Sequence, residues 1–319
     1  MRGRGVCEMR IFGPVPSRRL GQSLGVNNVP PKHCSYSCVY CQLGRTDKMQ
    51  MARSTFFEPE ELWREAEPKI AQLKTLGQTI DYVTFVGDGE PTLDGNLGKT
   101  IELFRRSGRK IAVISNASLI WRDDVKDDLL LADWVSLKVD SVDINKWRTV
   151  DRPYGYLDLR DILHGIIDFA RIFKGTLVTE TMLVEGLNDD EKCLCQTAAY
   201  LSKIRPAKAY ILVPTRPPAE KEIRRPKDDS LRAAVRIFEN QSKAPVECIS
   251  GDEGVNFCLT EDPVADILSI TAVHPVREDV IAVLLKRRQS GPEVVDKLLG
   301  EGLVKRLTHE GKSYLVRKW

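Results

Sequence analysis

This sequence of 319 residues predicts an α/β fold: parallel strands joined by crossover helices, then a small C-terminal unit of different pattern. Three observations carry that prediction. Short apolar, β-branched runs alternate with longer segments of helical period. Several of those runs have few polar interruptions, as strands covered on both faces do. The alternation then stops near Thr271, where short helical stretches and a hairpin pattern take over. A partial or open α/β barrel fits the first two observations, and so does a doubly wound sheet. In either case ligands gather at the carboxyl ends of the strands. The division implied is a core domain over 1–270, including an N-terminal extension, and a second domain over 271–319.

Taken in order, the strands are expected at 23–28, 82–87, 110–116, 134–140, 176–183, 208–214 and 246–250. Each is a short β-branched or aromatic run of the kind that suits a pleated, buried surface. The amphipathic stretches between them, such as 97–107, 157–173, 189–204 and 230–239, are long enough for crossover helices. Beyond Thr271, His274-Pro275 punctuates a boundary, and 277–288 and 291–300 read as two helices. L-V-K-R-L-T-H-E-G-K-S-Y-L-V-R-K then alternates around a Glu310-Gly311 turn, as a β-hairpin does. Two short helices followed by a hairpin resemble the end of a winged helix-turn-helix.

Hydrophobic residues make up 42% of the chain and charged residues 29%, ordinary values for a globular protein. No run approaches the roughly 18 apolar residues that cross a bilayer. The start, M-R-G-R-G-V-C-E-M-R, lacks the apolar core of a secretion signal, so a cytoplasmic location and no membrane partner are expected. The net charge of +3 is too small to argue for nucleic acid by itself. Its distribution says more. Residues 274–319 hold ten Lys/Arg against six Asp/Glu, an excess of +4.

Eight cysteines are present, and three of them, Cys34, Cys38 and Cys41, crowd into P-P-K-H-C-S-Y-S-C-V-Y-C-Q-L-G-R-T. The spacing is Cys, three residues, Cys, two residues, Cys. Three thiolates ligate three irons of a four-iron, four-sulfur cubane and leave the fourth iron without a protein ligand. A four-cysteine structural zinc site would leave no such vacancy.

These residues resemble the radical S-adenosylmethionine (SAM) superfamily. Tyr40, just before Cys41, matches the aromatic position near the adenine in that family. V-T-F-V-G-D-G-E-P-T-L, at the end of the next strand, is similar to the family's Gly-Gly-Glu-Pro element. Gly89 and Glu90 align with its core, while Asp88 departs from the usual small residue. The resemblance implies a partial (β/α)6 TIM-like barrel, a [4Fe-4S] cluster on Cys34, Cys38 and Cys41, and SAM chelating the vacant iron. Glu90 would offer a carboxylate to the cationic SAM amino group. Asn116, Lys138 and Asp140, polar tips of later strands, would contact SAM or substrate, with Glu180 a weaker candidate. Cleavage of SAM would yield a 5′-deoxyadenosyl radical that abstracts hydrogen from substrate. An external one-electron reductant, ferredoxin or flavodoxin, is implied, because no flavin or nicotinamide motif is visible.

A closer resemblance, over about residues 11–260, rests on G-P-V-P-S-R-R-L-G-Q-S-L-G-V-N, G-D-G-E-P-T-L and L-V-P-T-R-P-P. These segments are similar to the prokaryotic radical SAM proteins grouped with the tRNA wyosine synthases. True wyosine synthases carry a second cluster on cysteines N-terminal to the core. Here only Cys7 precedes Cys34, so that cluster cannot be built in the same way.

Cys193 and Cys195 lie two apart in a helical stretch, where they do not share a face. With Cys248 and Cys258 they read as buried structural thiols rather than ligands of an auxiliary cluster. Arg18, Arg19 and Arg216 flank strand ends and are candidates for gripping a substrate carboxylate or phosphate, with surface pairing the competing reading. His164 and the stretches around Trp63 and Trp147 read as packing. The functional expectation is a radical SAM enzyme whose substrate is open, with tRNA or a peptide held by the C-terminal domain among the possibilities. Two alternatives stand beside it: a tRNA-modifying, wyosine-synthase-like enzyme, and an iron–sulfur redox sensor that binds DNA.

Overall fold

The computed structural model describes residues 10–251 and 262–318. β1 (Ile11–Ser17) and β2 (Gly21–Val26) open the chain as an antiparallel pair. Two short strands, β3 (His33–Cys34) and β4 (Lys48–Met49), pair with each other before α1 (Pro59–Thr75) leads into β5 (Tyr82–Phe85). Strand and helix then alternate: α2 (Leu97–Phe104), β6 (Lys110–Ser115), α3 (Asp123–Leu130), β7 (Trp134–Lys138), α4 (Ile144–Val150) and α5 (Leu159–Ile172). They continue with β8 (Thr176–Met182), α6 (Glu191–Ile204), β9 (Lys208–Leu212), α7 (Asp228–Gln241) and β10 (Val246–Ile249).

The main sheet has eight strands in the order β1-β2-β5-β6-β7-β8-β9-β10. From β2 onward every pair is parallel. A doubly wound sheet would reverse its order part-way. No reversal occurs, so each right-handed crossover steps the same way and the helices collect on one face. Of the two architectures the sequence leaves open, the doubly wound sheet is therefore excluded. The sheet also curls: Arg18, in the turn between β1 and β2, donates from Nη2 to the carbonyl of Gly251, just past β10. The first and last strands are thereby brought together.

Two apolar layers follow from that curl. The outer layer packs helices on the sheet, with Phe85, Phe104, Ile111, Val135, Phe169 and Phe238 among its buried side chains. The inner layer is smaller. Leu20, carried inward by the β1–β2 turn, packs with Ala112, Trp134, Val178 and Tyr210 from four successive strands. Coverage on both faces explains why these strands read as continuous apolar runs. All seven expected strands are present, each ending one or two residues before its pattern does.

The C-terminal unit contains α8 (Pro263–Val273), β11 (Val276–Arg277), α9 (Glu278–Arg287), α10 (Glu293–Gly300), β12 (Val304–His309) and β13 (Lys312–Arg317). β12 and β13 form the expected hairpin, turning through Glu310 and Gly311 at φ +48° and +73°. β11 pairs with the other side of β13. Ile267, Ile270, Ile281, Leu284, Leu285, Leu298 and Leu315 form its core, and Val15 of β1 joins them. Hydrogen bonds also dock the unit on the barrel, among them Gly13 N to Ser269 Oγ at 2.9 Å and Tyr314 Oη to the Thr215 carbonyl at 3.4 Å. Among the described residues no helix is long and apolar enough to cross a membrane.

Candidate active site

The site is built by the loop that follows β2. Asn27 and Asn28 anchor its start. Asn28 Nδ2 donates to the Pro91 carbonyl and to Asp94, at 3.0 and 3.1 Å, and Asn27 exchanges hydrogen bonds with Asp88. Lys32 N donates to the Asp88 carbonyl at 2.6 Å, and Glu90 N donates to the His33 carbonyl at 3.0 Å. That second contact leaves no room for a side chain at Gly89, where a Cβ would stand 1.9 Å from the His33 oxygen. The pairing of β3 with β4 closes the loop. Turns then aim the remaining cysteines: Cys41 N donates to the Cys38 carbonyl and Gly44 N to the Cys41 carbonyl, both at 3.1 Å.

Cys34, Cys38 and Cys41 all line one cavity of about 360 Å³ at the carboxyl ends of the strands. Its walls include Gly87, Asp88 and Gly89 after β5, Lys138 of β7, Glu180 and Met182 of β8, and Leu212–Arg216 at the end of β9. The volume lies in the range of small-molecule sites. Burial pushes the Cys34 thiol up to about 12. Cys38 is raised by burial and by the Asp151 carboxylate, and Cys41 by burial, against Lys138 and Lys32. Three thiols so placed need a strong cationic partner to exist together as thiolates, which is what a metal centre supplies. Among the described residues no three His, Cys, Asp or Glu side chains converge on a single-ion site. A cubane does not require that convergence, because each thiolate bonds a different iron.

Behind Cys38 lies a buried polar knot. Tyr40 Oη donates to Asp140 and, at 3.1 Å, to Asp151 Oδ1, which also accepts from Cys38 Sγ at 3.4 Å. Burial and the neighbouring Asp140 carboxylate hold Asp151 well above the usual carboxylate range. The Lys138 ammonium stands 5.0 Å from the centre of the Tyr40 ring. Burial lowers Lys138, but Asp140, Glu180, Cys38 and Asp151 outweigh it and raise its pKa. Deeper in, Glu180 pairs with Arg19 and accepts from Ser136 Oγ at 2.6 Å.

A family model described as the radical SAM superfamily matches residues 28–194. The chain belongs to the radical SAM superfamily. It is an enzyme, and membership implies SAM and an iron–sulfur cluster as its cofactors. A UPF0026 protein of Methanocaldococcus jannaschii is 44% identical over 96% of this chain and 95% of that protein. A radical SAM methyltransferase from Sphaerobacter thermophilus shares the fold at 13% identity and a TM-score of 0.54, over 72% of this chain and 67% of that one. Archaeal TYW1 is also similar, at 16% identity and a TM-score of 0.45, over 69% of this chain and 72% of that one.

Of the residues expected to contact SAM in this radical SAM enzyme, Tyr40, Gly89 and Lys138 line the cavity. Glu90, Asn116 and Asp140 are not among its lining residues. Glu90 is 1% exposed, and its carboxylate accepts from Thr92 N, Thr92 Oγ1, Ser115 Oγ and Asn116 N at 2.6–3.0 Å. Three of those donors meet Oε1, and among the described residues Oε2 accepts only from Asn116 N. Asn116 Nδ2 donates to Ser35 Oγ at 3.0 Å and toward Cys34 Sγ at 3.5 Å, bracing the loop. Asp140 spends its oxygens on Tyr40 and on Met182 N, the latter at 2.7 Å.

Arg18, Arg19 and Arg216 all reach the cavity, and Glu180, the weaker candidate, lines it. Arg216 Nη1 donates to Gln42 Oε1 at 3.0 Å, tying the end of β9 to the cysteine loop. Cys193 is buried beside Ser141, while Cys195 and Cys248 are half-buried. Cys7 and Cys258 lie outside the described residues. His164 is exposed on α5. Trp147 does more than fill space: its Nε1 donates to Tyr36 Oη at 3.1 Å, under the cysteine loop. Asp151 had no sequence signal. D-R-P after a helix reads as a turn, and its importance comes from what the fold sets beside it.

Proposed function

We propose that Cys34, Cys38 and Cys41 each bind one iron of a [4Fe-4S] cluster and leave the fourth iron for SAM. When bound and reduced by ferredoxin or flavodoxin, the cluster supplies the electron that splits SAM into methionine and a 5′-deoxyadenosyl radical. This chain's residues do the rest. The backbone at Gly87–Gly89 and the Asp88 carboxylate, which line the cavity, would face the SAM amino group. Glu90 fixes that strand end against β6. Tyr40, pinned by Asp140 and Asp151, offers its ring to the adenine, and Lys138 balances the carboxylates around it. Arg18 and Arg216 orient an anionic substrate above the Arg19–Glu180 pair.

The observation that carries the reading is the meeting of three half-buried cysteines with the G-D-G-E-P strand end on one cavity. Anaerobic reconstitution with iron, sulfide, dithionite and SAM tests it. 5′-Deoxyadenosine is the expected product, and its absence from a cluster-loaded preparation sinks the reading. A redox-sensing DNA regulator is disfavoured, since it needs neither a vacant iron nor a SAM-sized cavity. The C-terminal unit reads as a winged-helix domain, and its own core, to which α8 contributes, supports a division near Asp262. A cytoplasmic location, where thiols stay reduced and low-potential electron donors are found, suits the cysteine cluster.

A further inference from the structure

Between β9 and α7, residues 213–227 form a strap of turns and bends that holds Pro214, Pro217, Pro218 and Pro226. Its first part, from Val213 to Arg216, lines the main cavity. Its middle grips the loop that carries Cys38 and Cys41. Glu220 N donates to the carbonyl of Val39, between those two cysteines, at 3.1 Å. The half-buried Glu220 carboxylate accepts from Arg45 Nε and Nη2, both at 2.9 Å, and from Arg152 Nη1. Arg45 and Arg152 hold that carboxyl down at about 2. Close by, Ile223 packs on buried Val39 and Val184, with Tyr40 and Met182 against them.

The groups that Glu220 reaches are the supports of the cysteine loop. Thr46 closes the loop's base through the Tyr36 carbonyl, at 2.6 Å, and Ser37 Oγ, at 3.2 Å, so Arg45 stands at its root. Arg152 follows Asp151, the partner of Cys38, and Ser37 N donates to both their carbonyls at 3.0 and 3.2 Å. At φ +46° Arg152 is left-handed, a conformation that a residue with a side chain keeps only when its surroundings hold it. An isolated exposed ion pair does little, but a bidentate arginine within a network does more. We propose that Glu220 is a positioning residue for the cluster: it latches the strap onto the cysteine loop and keeps Cys38 and Cys41 set to hold iron. Arg216 lies on the same strap, so the latch also fixes that part of the cavity wall. The proposal rests on the radical SAM reading for the metal and on contacts within the chain for the latch.

The test compares the full-length parent with Glu220→Ala, Arg45→Ala, the double variant, and Glu222→Ala, which removes the exposed carboxylate two residues on. Two rates are followed without oxygen. One is loss of iron from the reconstituted protein to bathophenanthroline disulfonate. The other is alkylation of Cys38 and Cys41 by iodoacetamide in the metal-free chain, located by mass spectrometry. Glu220→Ala should speed both by about three- to fivefold, with the urea midpoint unchanged. Glu222→Ala should match the parent. The double variant should match Glu220→Ala, because Arg45 then has no latch left to lose. Parent rates in Glu220→Ala, equal acceleration in Glu222→Ala, or effects that multiply in the double variant overturn the proposal. A urea midpoint that falls along with the faster rates makes Glu220 a general support and overturns it too. A parent that holds no iron strikes the radical SAM reading alone, and the alkylation rates then decide the latch.

Discussion

Gly89 and Asp94 show how closely single residues hold the cavity. Gly89→Ala forces a methyl group against the His33 carbonyl, so the strand end and the cysteine loop must separate. It should cost about 2 kcal/mol in urea unfolding and lower the iron bound per chain after reconstitution. Asp94 behaves differently. Burial lifts its carboxyl from 3.8 to about 6, against help from Asn96 N, Asn28 and Arg53. The folded chain therefore keeps a proton that the unfolded chain has released over that range, and this group's contribution to stability falls as pH rises from about 4 to about 6. Asp94→Asn should remove that slope, although its amide NH2 must replace an oxygen that accepts from Asn96 N or from Asn28 Nδ2. Urea midpoints of both proteins on either side of pH 6 decide it. At this scale the sequence marks candidate residues and not the layer they occupy. Tyr40 and Glu90 stand out equally in their motifs, yet one lines the cavity and the other is sealed behind it by three neighbours distant or near in sequence.

Elements were legible where their patterns were regular. The parallel strands and the hairpin announce themselves by composition and turn residues. β1 does not. It is an edge strand broken by Pro14 and Pro16 and by a register shift between Phe12 and Val15, features tolerated at an edge and absent from central strands. α8 escapes for the opposite reason. Its sequence P-V-A-D-I-L-S-I-T-A-V is apolar on most sides, because it packs against both β1 and β13 and has no amphipathic stripe to detect. The helix thus packs in the C-terminal core although most of it lies before the expected boundary, which it straddles. Leu298 of α10, fully buried in that core, gives the test at this scale. Leu298→Ala should cost about 3 kcal/mol. If the two cores unfold separately, thermal melts of the variant will show a new early transition while the cluster absorbance persists.

Across the whole molecule, the strand order excludes the doubly wound alternative that composition and period could not separate. The meeting of the sheet's two edges at Arg18 and Gly251 was invisible in sequence, since it joins residues 233 apart. The same holds for Arg216, whose bond to Gln42 spans 174 residues and links the last part of the barrel to the cysteine loop. Arg216→Lys keeps the charge and loses the planar fork. It should slow substrate turnover about tenfold while SAM cleavage without substrate changes little. Equal loss of both activities would make Arg216 a support of the loop and nothing more.

The β1–β2 turn and the cysteine loop are the two ends of one strand, β2, which is only six residues long. The turn carries Leu20 and Arg19 to the bottom of the reaction chamber, and the loop hangs the cysteines over its top. β2, about 20 Å long at roughly 3.3 Å per residue, therefore sets the distance between the elements that carry floor and roof. Lengthening it by one residue would turn its inward faces outward and lift the roof from the floor together. Relatives that act on larger substrates would have to widen the chamber sideways, by changing the strands opposite, rather than deepen it.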